Sequence, residues 1–420
     1  MLDILDKQTK IAPVFDKKSI NIVFSFNDEY SKFFSVALQS LIDNSNNEKN
    51  YDVVIFSSDI KERSIKMLLR MIPPNFSLRF YNPTNYIENK FQNLNLETKQ
   101  YWSVEMYYRI FIPLVMQKYE RVLYLDSDIV VNSNIDELFS ITFDNKEIIA
   151  VCDTTSPELY LPKNSSRREH IKKVLGLKDE TKYFNSGMLL FNITLIDIQE
   201  YTKKILKCSQ ITTLLYPDQD ILNILFEKRV KLISSEWNYG SNVLVCNKNY
   251  LSEISGTERE KFLKSRNNPK IIHFISPIKP WNSTGEEFYE TFWFYARKTP
   301  FYEEILYTMN QSQIDKATRE ITLFSRLLRD RKIVLWGASE FLVNFLGKYD
   351  ICNKNILGII DKNTSKTGTL IRNYRIYSPN DLKELNPDEI IITVIKSNFK
   401  KSIYNFMIEN NINAELISLV

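Results

Sequence analysis

Short apolar runs alternate with amphipathic segments over the first part of the chain. Residues 21–26 and 52–57 are apolar runs of strand length, and residues 32–42 between them carry apolar side chains at helical spacing. Two further runs of strand length cover residues 122–125 and 148–153. Strands that alternate with helices are typical of α/β proteins with a parallel sheet. The pattern therefore predicts an α/β domain in this part of the chain.

A second alternating unit follows near the carboxyl end. Residues 332–336 predict a strand, and residues 340–348 predict a helix behind the tripeptide Gly337-Ala338-Ser339. Further strands are predicted at residues 356–360, 389–394 and 414–419. We therefore divide the chain into an amino-terminal extension (1–18), a first domain (19–310), a helical connector (311–331) and a small Rossmann-like α/β domain (332–420).

Composition narrows the class of protein. At 420 residues the chain is too long for one ordinary core, which agrees with two domains. The net charge of +4 includes no basic block, so nucleic-acid binding is not expected. The four cysteines are widely separated and predict reduced thiols in a cytosolic protein. No apolar stretch approaches the roughly 18 residues of a membrane span, and the first residues do not resemble a signal peptide, so we expect a cytoplasmic protein.

Two carboxylates follow the apolar run 122–125. Asp126 and Asp128 are separated by Ser127. Side chains two residues apart in an extended segment point the same way, and ligands of open α/β sheets bind beyond the carboxyl ends of the strands. Two carboxylates held together repel each other unless a cation lies between them. The tripeptide therefore suggests a divalent-metal site, with a solvated turn as the alternative interpretation.

Three further motifs lie in order along the chain: Asn185-Ser186-Gly187, Asp218-Gln219-Asp220 and the segment from His273 to Trp281. Together with the Asp-Ser-Asp tripeptide they resemble glycosyltransferase family 8 over about residues 20–300. The resemblance implies an α/β fold of GT-A type, a single Rossmann-like nucleotide-diphospho-sugar transferase domain. It also implies a retaining hexosyltransferase, as in the bacterial lipopolysaccharide and lipooligosaccharide galactosyl- and glucosyltransferases of that family.

The resemblance implies a bound Mn²⁺ ion, with Mg²⁺ as an alternative. Its ligands would be Asp126, Asp128 and His273. Two hard oxygen donors and one nitrogen suit Mn²⁺ and leave positions for phosphate oxygens. Lys279 matches the family lysine that contacts the diphosphate, where a cation would stabilise the charge that develops on the leaving group.

The implied donor site draws residues from several segments. Tyr30 matches an aromatic residue that stacks on uracil, and Asn27 stands where the family usually has an acid. Arg109 matches an arginine near the donor sugar, although an ion pair on a helix surface is the alternative for it. Ser127 and Asn185 complete the donor-binding set, with a turn cap as the alternative for Asn185.

Three residues are expected to act around the transferred sugar. Asp218 would hydrogen-bond sugar hydroxyls, and Asp153 would orient the acceptor. Gln219 would lie on the β-face of the anomeric carbon, where a double displacement needs a nucleophile. An amide is a poor nucleophile, so we favour a front-face substitution in which the departing phosphate takes the acceptor proton.

These expectations lead to one main hypothesis. The chain would transfer glucose or galactose from a UDP-hexose to a glycan or glycolipid acceptor of lipopolysaccharide, lipooligosaccharide or capsule. The alternative is a nucleotide-binding, sugar-modifying oxidoreductase or epimerase, or a non-catalytic binding module, acting through the carboxyl-terminal domain. There, Gly337-x-Ser339 keeps one glycine of the dinucleotide fingerprint, and Asp361 lies 24 residues after Gly337, where a ribose-binding acid would sit. The oligomeric state stays open.

Two other segments carry expectations. Residues 154–182 are polar and predict an irregular lid over the site. Residues 288–307 are crowded with aromatic side chains around Arg297 and Lys298. Such a segment suits a wall of the acceptor site or a peripheral contact with the inner membrane surface, and packing between the domains is the alternative.

Overall fold

The computed structural model describes residues 11–15, 19–91, 103–154, 165–246, 250–349, 351, 354–394 and 399–419. The chain divides into two compact units, residues 1–309 and 310–420. The strands of the first unit are β1 (Ile20–Ser25), β2 (Tyr51–Phe56), β3 (Phe76–Tyr81), β4 (Arg121–Leu125), β5 (Ile129–Val131), β6 (Ile148–Cys152), β7 (Phe184–Asn192), β8 (Val230–Ile233), β9 (Tyr239–Gly240) and β10 (Ile271–His273).

Seven strands of the first unit form one mixed sheet in the order β3-β2-β1-β4-β7-β6-β8. β1 pairs in parallel with β2 and β4, as the alternating pattern predicts. β7 is antiparallel to both β4 and β6, so the strand–helix alternation predicts the parallel part of the sheet but not this strand. The antiparallel register places Met188 opposite Leu125, and the Asp126 amide donates to the Gly187 carbonyl at 2.9 Å. The start of β7 therefore lies beside the end of β4.

A second, three-stranded sheet in the order β5-β10-β9 completes the site. β10 is antiparallel to β5 and pairs His273 with Ile129. The Phe274 amide donates to the Asp128 carbonyl at 3.0 Å, which ties the end of β10 to the Asp-Ser-Asp tripeptide. This pairing brings together two segments that are far apart in the sequence.

Helices pack against the sheet of the first unit. Apolar side chains at helical spacing bury one face of the helix at Ser31–Asp43, as expected. The segment before β4 is helical: a 3₁₀ helix (Val104–Phe111) is followed directly by a short α-helix (Ile112–Val115). The helices are α1 (Ser31–Asp43), α2 (Glu62–Leu69), α3 (Thr84–Lys90), α4 (Ile112–Val115), α5 (Asp136–Ser140), α6 (Ser166–Lys173), α7 (Ile198–Cys208), α8 (Pro217–Phe226), α9 (Val243–Cys246), α10 (Tyr250–Glu253), α11 (Gly256–Asn267) and α12 (Tyr289–Ala296). Helix α13 (Tyr302–Leu327) begins in the first unit and ends in the second.

The predicted lid (154–182) is partly helical, and most aromatic side chains of the segment 288–307 are buried or half-buried. The predicted lid contains α6, so residues 166–173 are regular, while residues 155–164 lie outside the described residues. Most aromatic side chains of the 288–307 segment pack into the core of the first unit; Phe292 and Trp293 are buried there. Phe294 remains more than half exposed. In the described part of the chain, no helix is long and apolar enough to cross a membrane.

The second unit is a separate α/β structure. Its strands are β11 (Ile333–Trp336), β12 (Ile356–Ile360), β13 (Leu370–Ile371), β14 (Tyr374–Tyr377), β15 (Glu389–Ile392) and β16 (Glu415–Ser418). Its helices are α14 (Glu340–Lys348), α15 (Leu382–Leu385) and α16 (Phe399–Glu409). The sheet order is β13-β14-β12-β11-β15-β16, and β12, β11, β15 and β16 run parallel. The sequence patterns predict four of these strands and miss the two short neighbours β13 and β14.

Candidate active site

The paired acids lie at the end of β4, where three other segments converge. β10 contributes His273, whose imidazole Nε2 lies 3.2 Å from Asp128 Oδ1 and 3.5 Å from Asp126 Oδ2. One ligand atom from each of the three residues lies within 4.8 Å of the other two. Two carboxylate oxygens and one imidazole nitrogen at such separations fit a single divalent cation. The structure therefore brings together the predicted ligand set, which suits Mn²⁺ by its mixed oxygen and nitrogen donors.

Lys279 lies against the same acids. Its Nζ is 2.6 Å from Asp128 Oδ2 and also donates to the carbonyl of Phe274. Burial opposes ionisation of Asp128, but the charge of Lys279, together with the adjacent imidazole of His273, outweighs it and holds the pKa of this carboxyl well below its ordinary value. Asp128 is therefore a carboxylate at neutral pH, as a metal ligand must be.

Gly187 allows the ligands to approach one another. A Cβ atom at this position would lie 2.2 Å from His273 Cε1 and 2.8 Å from Asp126 Oδ2. Any side chain would therefore collide with two of the three candidate ligands. The glycine of the Asn-Ser-Gly motif is explained by this close approach of the backbone to the site.

Arg109 is buried between two acids. Its guanidinium contacts Asp126 Oδ1 at 2.7 Å and Asp218 Oδ2 at 3.3 Å, and it donates to Ser186 Oγ at 3.0 Å. It also lies over the ring of Tyr124, 4.6 Å from the ring centroid. Burial raises the pKa of Asp218 above its ordinary value, although the Arg109 charge opposes the shift. The alternative of an ion pair on the helix surface is wrong, because the arginine is an interior cation that organises the acids.

Gln219 is held by hydrogen bonds at both ends of its amide. Its Oε1 accepts from Asn185 Nδ2 at 3.1 Å and from the Ser186 amide at 3.0 Å. Its Nε2 donates to Asp153 Oδ2 at 3.1 Å. Asn185 Oδ1 in turn accepts from the Gly187 amide. The residues predicted around the transferred sugar therefore form one connected cluster beside the metal ligands.

Of the remaining predicted donor residues, Asn27 and Tyr30 follow β1 and Ser127 follows β4. Tyr30 is half-buried, and its ring meets Trp281 edge to face at 6.4 Å. Burial, with the negative charge of Asp128, raises the pKa of its hydroxyl. Asn27 accepts from the Tyr30 amide and caps the turn, so its side-chain oxygen already has a structural partner. Ser127 is buried between the two acids.

Three interacting residues are missed by the sequence patterns. Asn238 joins two predicted site residues: its Oδ1 lies 2.9 Å from His273 Nδ1, and its Nδ2 donates to Asn185 Oδ1 at 2.8 Å. Tyr124 donates to Asp126 Oδ1 at 2.6 Å. His170 lies 3.0 Å from the fully buried Asp220. Only the scarcity of histidine in the chain could have drawn attention to His170.

The loop after β11 makes bonds within the second unit. Asp361 Oδ2 accepts from the Ala338 amide at 2.9 Å, and Oδ1 accepts from the Asn363 amide. Ser339 caps α14 by accepting from the Leu342 amide. The acid expected to bind a ribose therefore stabilises its own glycine-containing loop.

Comparison with known families agrees with this arrangement. The family model of Glycosyl transferase family 8 matches residues 21–285. A second family model, described as C2185-like, N-terminal, matches residues 329–414. The first match contains all the candidate metal ligands and sugar-site residues.

Individual relatives cover the same region. Glycosyltransferase GlyB of Streptococcus pneumoniae is 28% identical over 280 residues, which are 66% of this chain and 61% of GlyB. The lipopolysaccharide 1,3-galactosyltransferase of Salmonella typhimurium is 28% identical over 196 residues, which are 46% of this chain and 53% of that protein. The chain thus spans less than two thirds of the length of these relatives.

Solved structures share the fold. The bifunctional glycosyltransferase WbbM has a TM-score of 0.61 and 28% identity, and the match covers 71% of this chain and 53% of WbbM. The galactosyltransferase LgtC, solved with donor and acceptor sugar analogs, has a TM-score of 0.53 and 23% identity, with 67% of this chain and 96% of LgtC covered. These likenesses confirm the predicted GT-A type fold.

Proposed function

This chain belongs to Glycosyl transferase family 8, and we propose that it is a metal-dependent, retaining hexosyltransferase that uses a UDP-sugar. The observation that carries the proposal is the convergence of Asp126, Asp128 and His273, with Lys279 beside them. A bound Mn²⁺ would act as a Lewis acid on the departing diphosphate. Mg²⁺ is the alternative metal, because both ions accept carboxylate oxygens.

The chain's own residues supply binding and orientation. Lys279 lies where it can pair with a phosphate oxygen, which would replace part of its contact with Asp128. Asp218 and Asp153 offer carboxylate oxygens for sugar and acceptor hydroxyls, and Arg109 keeps the acids together by partly neutralising them. Tyr30 offers an aromatic face for the uracil.

The hydrogen bonds of Gln219 favour a front-face substitution. An amide oxygen has two lone pairs, and Gln219 Oε1 already accepts two hydrogen bonds, from Asn185 and Ser186. It is therefore poorly available as a nucleophile. In the proposed reaction, the acceptor hydroxyl attacks the anomeric carbon from the face that the diphosphate leaves. The bond from carbon to phosphate oxygen breaks, and the departing phosphate takes the hydroxyl proton.

The acceptor and the location are proposed from the known relatives. The relatives include lipopolysaccharide glucosyl- and galactosyltransferases, which supports glucose or galactose as the transferred hexose and a bacterial surface glycan or glycolipid as the acceptor. We propose cytoplasmic action, with peripheral contact at the inner membrane surface if the acceptor is a lipid.

The test is a donor and acceptor panel. The full chain is incubated with Mn²⁺, Mg²⁺ or EDTA and with UDP-glucose, UDP-galactose or other UDP-sugars, and UDP release is measured with and without lipooligosaccharide fragments. We expect release that requires the metal and increases with a suitable acceptor. Failure to release UDP from any donor, with Mn²⁺ and acceptors present, would contradict the proposal.

A further inference from the structure

We propose that Asn238 is a positioning residue that selects the metal-binding tautomer of His273 and couples it to the residues around the transferred sugar. This inference rests on the proposed function for its catalytic meaning, although the tautomer itself is a property of the chain. Asn238 and His273 are both buried, with 2% and 3% of their surface exposed, so water does not compete for their hydrogen bonds.

Two backbone amides determine how the neighbouring side-chain amides are oriented. The Gly187 N–H donates to Asn185 at 2.8 Å, and the Ser186 N–H donates to Gln219 at 3.0 Å. A backbone N–H can only donate, so the atom facing it must be the side-chain oxygen in each case. The orientations of Asn185 and Gln219 therefore follow from the backbone of β7.

The orientation of Asn185 determines that of Asn238, and Asn238 in turn determines which nitrogen of the His273 imidazole carries the proton. Because Asn185 presents its oxygen to Asn238, Asn238 must present its NH₂ group there, at 2.8 Å. Its own oxygen then faces His273 Nδ1 at 2.9 Å, so Nδ1 must carry the proton. The other nitrogen, Nε2, faces Asp126 and Asp128 and keeps a lone pair for a cation.

The same series of hydrogen bonds extends to Asp153, the residue proposed to orient the acceptor. Gln219 has its oxygen towards β7, so its NH₂ group donates to Asp153 at 3.1 Å. Five side chains therefore form one polarised series: Asp153, Gln219, Asn185, Asn238 and His273. Rotating the side-chain amide of Gln219, Asn185 or Asn238 by half a turn would place one oxygen against another. We infer that Asn238 links the geometry of the metal site to that of the sugar site.

Two substitutions separate this role from simple packing. Asn238→Leu is similar in size but has no acceptor for Nδ1, whereas Asn238→Asp keeps the acceptor and loses the donor to Asn185. We expect Asn238→Leu to weaken Mn²⁺ binding by about 10- to 100-fold, the usual effect of losing such a partner. Asn238→Asp should bind Mn²⁺ within about threefold of the wild type, yet transfer hexose roughly 10- to 100-fold more slowly because Asn185 and Gln219 are displaced.

The full chain is titrated with Mn²⁺ in the absence of any sugar donor or acceptor. The free ion is quantified by electron paramagnetic resonance, which gives the Mn²⁺ affinity. Asn21→Leu is the matched control, because Asn21 is buried and bonds to the Arg121 carbonyl at the opposite end of β1. It should change stability without changing Mn²⁺ affinity. Wild-type affinity in Asn238→Leu, or equal losses in Asn238→Leu and Asn238→Asp, would overturn the proposal.

A second measurement does not depend on the metal or on activity. The chain has two histidines, so ¹⁵N-histidine labelling gives two imidazole spin systems, and His170→Gln assigns them. We expect a proton on Nδ1 of His273 in the wild type and its loss from Nδ1 in Asn238→Leu. The same protonation pattern in both proteins would overturn the inference. A wild type that shows this pattern but binds no Mn²⁺ would instead contradict the proposed function alone.

Discussion

Replacing Gly187 by Ala is the sharpest test of the site geometry. The new methyl group would lie 2.2 Å from His273 Cε1, 2.7 Å from His273 Nδ1 and 2.8 Å from Asp126 Oδ2. Non-bonded carbon atoms pack at roughly 3.5–4.0 Å, so the imidazole must move by more than about 1 Å. The imidazole is buried and hydrogen-bonded to Asn238, so a displacement of this size would strain or break that bond.

The displacement is large compared with what a metal site tolerates. Ligand distances in metal sites vary by only about 0.2 Å. Overpacking a core by one methyl group costs typically about 1–3 kcal/mol, which most folded domains survive. A misplacement of about 1 Å at the reacting centre can cost about 100-fold in rate. We therefore expect Gly187→Ala to remain folded, to bind Mn²⁺ at least about 10-fold more weakly and to turn over about 100-fold more slowly.

The assay compares Gly187→Ala with Gly256→Ala. A Cβ atom at Gly256 meets no atom within 4 Å, so this control adds the same methyl group without a collision. Thermal unfolding, Mn²⁺ titration and UDP release are measured on both proteins and on the wild type. Gly256→Ala should match the wild type in all three. If Gly187→Ala also keeps wild-type Mn²⁺ affinity and turnover, the close approach of β7 to the ligands is not part of the active structure.

Three further changes test the proposed chemistry. Asp128→Ala should abolish metal-dependent UDP release while the circular dichroism spectrum stays unchanged, and full activity in excess EDTA would exclude the metal role. Deleting residues 331–420 should leave donor hydrolysis largely intact, because the candidate site lies within residues 1–309; a folded fragment that cannot bind UDP-sugar would show that the second unit completes the site. Gln219→Ala should slow transfer by roughly 10- to 100-fold and retain the α-configuration of the donor. A β-linked product by NMR would refute retention, and a hexose adduct on native Gln219 by mass spectrometry would favour double displacement.

Local patterns in the sequence are sufficient for much of the fold. The apolar run that precedes Asp126 is a buried strand, and a strand covered on both faces of its sheet buries adjacent side chains together. The helix at Glu340–Lys348 is predicted to the residue, since its apolar spacing and its Ser339 cap are both local signals. β13 has only two residues, and β14 has only four, of which two are buried, so neither is long enough to give a clear pattern.

The motifs by themselves also identify most of the candidate site. Asp126, Asp128, His273 and Lys279 are predicted together because their order along the chain resembles one family, and they converge in space. Only the resemblance to the family implies that these four residues converge in space. Nothing in the residues between β5 and β10 specifies that these strands pair, since strand pairing depends on contacts between distant segments.

Tertiary structure alone decides the finer chemistry. In the fold, the backbone amides of Ser186 and Gly187 in β7 lie against the side chains of Gln219 and Asn185. This determines which end of each side-chain amide faces which neighbour. Asn238 belongs to no motif that the sequence reveals, yet it lies between the metal ligand and the sugar site. Residue types and their order determine which groups are present, whereas the direction of each hydrogen bond depends on which donors the fold places opposite them.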